Sequence, residues 1–130
     1  MTDHLHNQVR AFFNAIAQGE LPDELASANM TAWTLTSGDS DRARFIGGIQ
    51  LLAKAFDGTL QYQIQSLVAE GNKAIAEVTS SGQLSDGTFS NVHVFVFEFA
   101  DGLIVSMREY MDPQIVATRV VPAIQRVLEA

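Results

Sequence analysis

Four ionisable side chains, His93, Glu98, Arg108 and Glu109, interrupt the most apolar part of the sequence, and His93 and Glu109 are the strongest candidates for chemistry. His93 falls in the run Val92 to Phe99, and Glu109 in the run Leu103 to Met111. Ala100-Asp101-Gly102 separates the runs, and Asp-Gly between apolar segments signals a β-hairpin. On an unbulged strand, side chains alternate between two faces. His93 then shares a face with Phe95, Phe97 and Phe99, whereas Glu109 shares one with Val105, Met107 and Met111. A carboxylate held between Met107 and Met111 loses solvation, which suits it to taking a proton from carbon or water. An imidazole beside it would orient it or carry the counter-charge. The same residues admit a plainer reading, with Arg108 and Glu109 as a surface ion pair and His93 as a hydrogen-bonded core histidine.

Other polar residues carry less weight. Trp33 and Tyr62 are of the type that fills a core or a pocket wall. Asp39 and Asp41 read as solvated loop carboxylates, and Arg42 and Arg44 as loop cations able to attract an anionic ligand group. His4 and His6 are two apart near the terminus, cannot share a helix face, and read as exposed. The sequence has no Gly-rich phosphate loop, no nucleophile–base motif and no metal-ligand spacing. Any enzyme made this way is expected to work without a cofactor or a metal.

The bulk properties narrow the partners. A formal charge of −7, from 15 acidic against 8 basic residues, argues against nucleic acid, since phosphate contacts need a basic footprint. It also disfavours anionic membrane surfaces. The absence of cysteine rules out a disulfide framework and thiolate metal sites. The polar start MTDHLHNQVR lacks the pattern of a signal peptide, and no apolar run is long enough to span a bilayer. These properties lead to the expectation of a cytoplasmic protein whose residues 1–130 form a single domain.

The elements that must position His93 and Glu109 follow from periodicity. Val9, Phe12, Phe13 and Ile16 have the spacing of one buried helix face, with Gly19 as its stop. Pro22-Asp23-Glu24-Leu25 predicts a second, short helix, and Asn29 to Thr36 a strand. Ser37 to Asp41 predicts a polar loop. Phe45, Ile49, Leu52 and Phe56 line a helical stripe. Because each interior glycine costs about 1 kcal/mol relative to Ala, its helix is expected to start near Gly47-Gly48 and to end at Asp57-Gly58. Leu60, Tyr62, Ile64, Ser66 and Val68 alternate with glutamines as a half-exposed strand. Turns at Gly71-Asn72, Asp86-Gly87 and Asp101-Gly102 then join four long strands, which predicts a mostly antiparallel sheet in an α+β fold. Asp112 and Pro113 open a C-terminal helix, whose apolar face of Val116, Val120, Ile124 and Val127 is expected to be kinked by Pro122.

This order, with the closing strand running from Asp101-Gly102 to Arg108-Glu109-Tyr110-Met111-Asp112 and with Gly47-Gly48-Ile49 opening a helix, resembles the nuclear-transport-factor-2-like fold and its SnoaL-like group. The resemblance spans nearly the whole chain. It implies a cone-shaped curved sheet wrapped around the helices and enclosing one apolar cavity. It also implies functions from isomerisation, cyclisation, epoxide hydrolysis and dehydration to plain ligand binding. Ketosteroid isomerases of this fold would need a Tyr where this chain has Phe12, a carboxylate near Thr34 and an acid within Asn91–Phe97, none of which is present. Epoxide hydrolases of this fold match Glu109 but not Ala76 to Ser81, which lacks their Arg–Asp pair. The acid and nearby His of SnoaL-like cyclases correspond most closely to Glu109 and His93.

The expected site is thus Glu109 as acid/base assisted by His93, inside a cavity lined by Trp33, Tyr62, Phe95, Phe97, Met107 and Met111. One function class is a cofactor-free isomerase, cyclase or dehydratase acting on a small hydrophobic carbonyl compound. The other is a binding or scaffold domain with the same pocket. Val92, Val94 and Val96 leave a second apolar face to cover, and in the resembled family a partner's sheet covers it, so a homodimer is expected.

Overall fold

In the computed structural model, which describes residues 2–130, the chain folds as three helical regions against one curved sheet. Helix α1 (Thr2–Ala17) buries Leu5, Val9, Phe12, Phe13 and Ile16 along one stripe. It ends at Gly19, whose φ of 77° suits glycine. Pro22 to Leu25 forms a single turn closed by Leu25 N–H donating to the Pro22 carbonyl, not the short helix expected from its Pro-Asp-Glu start. Its polar residues have no apolar periodicity to hold a second turn against the core.

Strand β1 (Ala26–Thr34) turns back into β2 (Gly38–Asp41), so the SGDSD segment is half of a hairpin and not a free loop. Asp41 then caps α2 (Arg42–Phe56), its carboxylate accepting from the Arg44 N–H at 2.8 Å. This cap starts the helix a full turn earlier than the glycine argument suggests. Gly47 and Gly48 lie inside it, their cost offset by the cap and by burial of Ile49 and Phe56. Asp57, at φ 50°, ends the helix with Gly58, as the sequence indicates.

The meander follows as β3 (Gln61–Glu70), β4 (Lys73–Leu84), β5 (Gly87–Ala100) and β6 (Leu103–Met111). The six strands lie in the order β2-β1-β6-β5-β4-β3, antiparallel except for the parallel β1–β6 pair. The sheet is therefore mixed, mostly antiparallel and unclosed. Within the meander, two bulges reset the simple alternation. The first, at Gln65, breaks the phase of β3, so that Leu67 and Ala69 pack inward and Val68 is exposed, the reverse of the unbulged expectation. The second, at Val105, turns Ile104 inward beside Phe99, so Val105 does not share the face of Met107 and Glu109.

The main core joins α1 to the sheet's concave side through a cluster of rings. Phe12 meets Phe97 edge-on at 5.1 Å, and Phe13 meets Phe95 at 4.8 Å. Each such buried ring contributes about 1.5–3 kcal/mol from burial and, for the edge-on pairs, about 0.5–1.5 kcal/mol more. A second cluster of Phe56, Leu60, Leu84, Phe89 and Ala123 joins α2 to the sheet's far end.

The C-terminal segment closes that end. Asp112 caps the short helix α3 (Pro113–Ile115), a π-helical turn follows over Val116–Val120, and α4 covers Val121–Glu129. Pro122 has no N–H to donate. The widened turn before it, with Val121 N–H reaching the Val116 carbonyl, is how the chain absorbs the proline. Arg119 clamps this segment to the β4–β5 turn by two bonds of 3.0 Å to Asp86. That guanidinium, chiefly by hydrogen bonding, holds the Asp86 carboxyl below the usual carboxylate range.

Candidate functional site

The inner face of β5 carries Phe89, Asn91, His93, Phe95, Phe97 and Phe99 in one row. Phe97 and Phe99 belong to the core cluster that α1 fills. Toward the other end, α2 and the C-terminal segment stand over the sheet and leave a cavity of about 360 Å³. Its apolar walls include Ile49, Leu52 and Phe56 from α2, Phe95 and Met111 from the sheet, and Val116, Val120 and Ile124 from the C-terminal segment. The exposed residues Thr36, Ser37, Arg44 and Gly48 mark its mouth.

The polar side chains that the sheet sends into this space include Tyr62 on β3, Ser80 on β4, Asn91 and His93 on β5, Glu109 on β6 and Thr34 on β1. Cross-strand register sets their contacts. Ser80 stands between Tyr62 and Asn91, and the diagonal neighbours His93 and Glu109 meet across β5–β6. His93 Nδ1 lies 2.8 Å from Glu109 Oε2, and His93 Nε2 lies 2.7 Å from Ser80 Oγ. Only 9% of the histidine side chain and 18% of the glutamate side chain remain exposed. In the neutral tautomer protonated at Nδ1, Nδ1–H donates to Glu109 and Nε2 accepts the Ser80 hydroxyl; in the imidazolium, both N–H groups donate. The Ser80–His93–Glu109 line can therefore carry a proton in either direction.

Tyr62 completes the polar set. Burial, and secondarily the negative charge of Glu109, pushes its phenol far above the ordinary tyrosine range. The hydroxyl stays protonated and has no hydrogen-bond partner among the described residues, so it is a donor available to a ligand oxygen. Its ring stands edge-on to His93 at 6.1 Å and against Phe13 at 5.4 Å, which fixes its direction. Asn91 donates to the Asp112 carbonyl at 3.4 Å and accepts from the Val92 N–H, tying the cavity floor to the end of β6.

The structure thus gathers Glu109, His93, Tyr62, Phe95 and Met111 in one cavity. Trp33, Phe97 and Met107 lie outside its lining. Alternation along β1 sends Thr34 inward and turns Trp33 to the outer face, where it meets Tyr110 at 5.2 Å. Phe97 and Met107 pair across β5–β6 two positions nearer α1, where Phe12 fills the space. Ser80, Asn91 and Thr34 are the polar residues that sequence reasoning did not select. For Ser80 a signal exists, because it continues the buried alternation of Ala74, Ala76 and Val78. Among the described residues, no three His, Asp or Glu side chains gather to hold a metal ion. A second, more open groove between the C-terminal ends of α1 and α2 is lined by the amides Asn14, Gln18, Gln50 and Gln61 together with Lys54 and Asp57, and Tyr62 borders it as well.

Comparison with known proteins agrees with this architecture. The SnoaL-like domain model matches residues 9–107. Among solved structures, a protein from Jannaschia sp. CCS1 provisionally described as a SnoaL-like polyketide cyclase superposes with a TM-score of 0.76 at 16% identity, over 89% of this chain and 90% of that one. An NTF2-like protein from Anabaena variabilis ATCC 29413 gives 0.74 at 17% identity, covering 85% and 88%. IdmH of Streptomyces antibioticus, provisionally described as a polyketide cyclase, gives 0.77 at 15% identity, covering 88% and 96%. At these identities the likeness concerns the fold. A search of curated proteins finds no match.

Proposed function

The chain belongs to the SnoaL-like family, and from that premise we propose that it is a cofactor-free acid/base enzyme, of isomerase, cyclase or dehydratase type, acting on a small hydrophobic carbonyl compound. The observation that carries this reading is the His93–Glu109 bond of 2.8 Å inside a largely apolar cavity. Glu109 uses Oε2 for the histidine, and its other oxygen is available to a substrate C–H. His93 fixes the carboxylate and buffers its charge. The Tyr62 hydroxyl donates to the substrate oxygen on which negative charge develops. Phe95 and Met111 supply apolar surface to hold the substrate. The polyketide-cyclase descriptions of the structural neighbours are consistent with chemistry of this class.

A homodimer and a cytoplasmic location belong to the same proposal. The outer sheet face exposes Val68, Ile75, Val92, Val94 and Tyr110, with Val92 62% exposed. A contiguous apolar patch on a sheet is the kind of surface that a second copy covers. The lack of cysteine fits a reducing compartment.

A panel of carbon acids tests the proposal without an identified substrate. The protein is incubated in D2O with small cyclic and acyclic β-diketones, and deuterium entry at the acidic carbon is followed by NMR. Wild type should accelerate exchange for at least one member. Glu109→Gln should remove roughly 10²–10⁴-fold of that acceleration while keeping the melting temperature and probe binding. A panel with no exchange in the wild type, yet with saturable binding, leaves a binding domain in place of an enzyme.

A further inference from the structure

From the same cavity we infer a second chemistry, nucleophilic acyl transfer, with Ser80 as nucleophile, His93 as its base and Glu109 as the group that orients the histidine. Ser80 Oγ stands 2.7 Å from His93 Nε2, and His93 Nδ1 stands 2.8 Å from Glu109 Oε2. Both distances lie within the reach a nucleophile–base–acid line requires, and the two ring nitrogens are used in the order it demands. The three residues come from the inner faces of adjacent strands β4, β5 and β6, so sheet hydrogen bonds hold the line rigid. Ser80 is 3% exposed overall yet lines the cavity, so a ligand reaches it only from inside.

The remaining requirement is a donor for the oxygen of a tetrahedral intermediate. Backbone donors near Ser80 are committed to the β3–β4–β5 ladders. The Tyr62 hydroxyl is the alternative, because Tyr62 is the direct cross-strand neighbour of Ser80 on the same face. Phe56, Leu52 and Ile49 offer apolar surface for an acyl chain. The fitting substrate class is a small, apolar carboxylic ester or thioester.

The step balances without any further reactant except water. Ser80 Oγ forms a bond to the acyl carbon as its proton passes to His93 Nε2. The bond from that carbon to the leaving oxygen or sulfur then breaks, and the leaving group takes the proton from Nε2. Water attacks the acyl-serine, giving its proton to Nε2. Cleavage of the Ser80 ester bond releases the acid and restores the serine hydroxyl. No atom changes oxidation state. Deprotonation of carbon by Glu109 is not part of this sequence, so it stands or falls apart from the acid/base reading.

A serine that merely satisfied the buried imidazole would form no covalent adduct. The full chain is treated with an alkyl fluorophosphonate, its intact mass is measured, and the adduct is mapped by peptide sequencing. In parallel, p-nitrophenyl butyrate is followed for a burst of nitrophenolate. One adduct per chain on Ser80, with a burst of matching stoichiometry, is the expected result. Ser80→Ala and His93→Gln should abolish both, and Glu109→Gln should slow labelling by roughly 10²–10⁴-fold. An unmodified wild-type chain, or an adduct mapped to any other residue, overturns the inference whether or not the variants fold. Deuterium exchange without labelling would refute Ser80 alone, and labelling without exchange would refute the carbon-acid reading alone.

Discussion

Gly47 and Gly48 offer a direct test of how the fold trades stability for its cavity. Both lie inside α2, and a Cβ built on either meets nothing within 4 Å. Neither has a packing reason to be glycine, so each should gain roughly 0.8–1.0 kcal/mol on replacement by alanine. A chain of 130 residues has an unfolding entropy of about 270 cal/mol/K by the usual per-residue value, so about 1 kcal/mol raises Tm by about 4 °C. The double variant should therefore melt about 7 °C higher. The two sites differ in one respect, since Gly48 lines the cavity mouth and Gly47 does not. Circular dichroism melts give the stabilities, and titration with 8-anilinonaphthalene-1-sulfonate gives occupancy of the cavity. Gly47→Ala should leave probe affinity unchanged, whereas Gly48→Ala should weaken it several-fold while still raising Tm. A fall in Tm for either variant would refute the claim that the space is open. Equal effects of both on the probe would refute the placement of the cavity mouth.

Gly82 makes the opposite case, because a Cβ there would stand 2.6 Å from Phe56 Cδ1. Gly82→Ala should destabilise by about 1–3 kcal/mol in urea denaturation, and unchanged stability would mean that the Phe56 ring has room to shift. For the outer face, light scattering at micromolar concentration should report a dimer for wild type and a monomer for Val94→Glu, which places a charge on the exposed valine row. A monomeric wild type would remove the homodimer from the proposal.

Much of the fold was legible because it rests on local signals. Asp101-Gly102, with both residues at positive φ, forms the turn its sequence announces. The Val9-Phe12-Phe13-Ile16 stripe is buried as a unit. What was not legible depends on groups distant in sequence. Glycine propensity alone places the start of α2 too late, because the Asp41 cap and the core that receives Ile49 and Phe56 outweigh it. The phase of β3 beyond Gln65 is not legible in the sequence, because Val68 fits an unbroken alternation as well as a bulged one. In the sequence Ser80 is one serine among several, and it becomes part of a site only through register with His93 and Glu109, 13 and 29 residues further on.

Register also decides which charge enters the cavity. The turn pairs Ala100 with Leu103 and Phe99 with Ile104. Continued without interruption, that phase would set Phe95 opposite Arg108 and His93 opposite Tyr110. Directly opposed residues share a face, so Arg108 would then point inward and Glu109 outward. The bulge at Val105 shifts the phase by one, and the observed pairs are Phe95 with Glu109 and His93 with Met111. It lets two demands be met together: Ile104 stays buried beside Phe99, and the carboxylate rather than the guanidinium faces His93. The simple alternation read from Met107, Glu109 and Met111 placed Glu109 correctly because all three lie beyond the bulge, and it misplaced Val105 because that residue is the bulge. The pairing of His93 with Glu109 is therefore a consequence of one extra residue in β6, and the acid/base and acyl-transfer readings both depend on it.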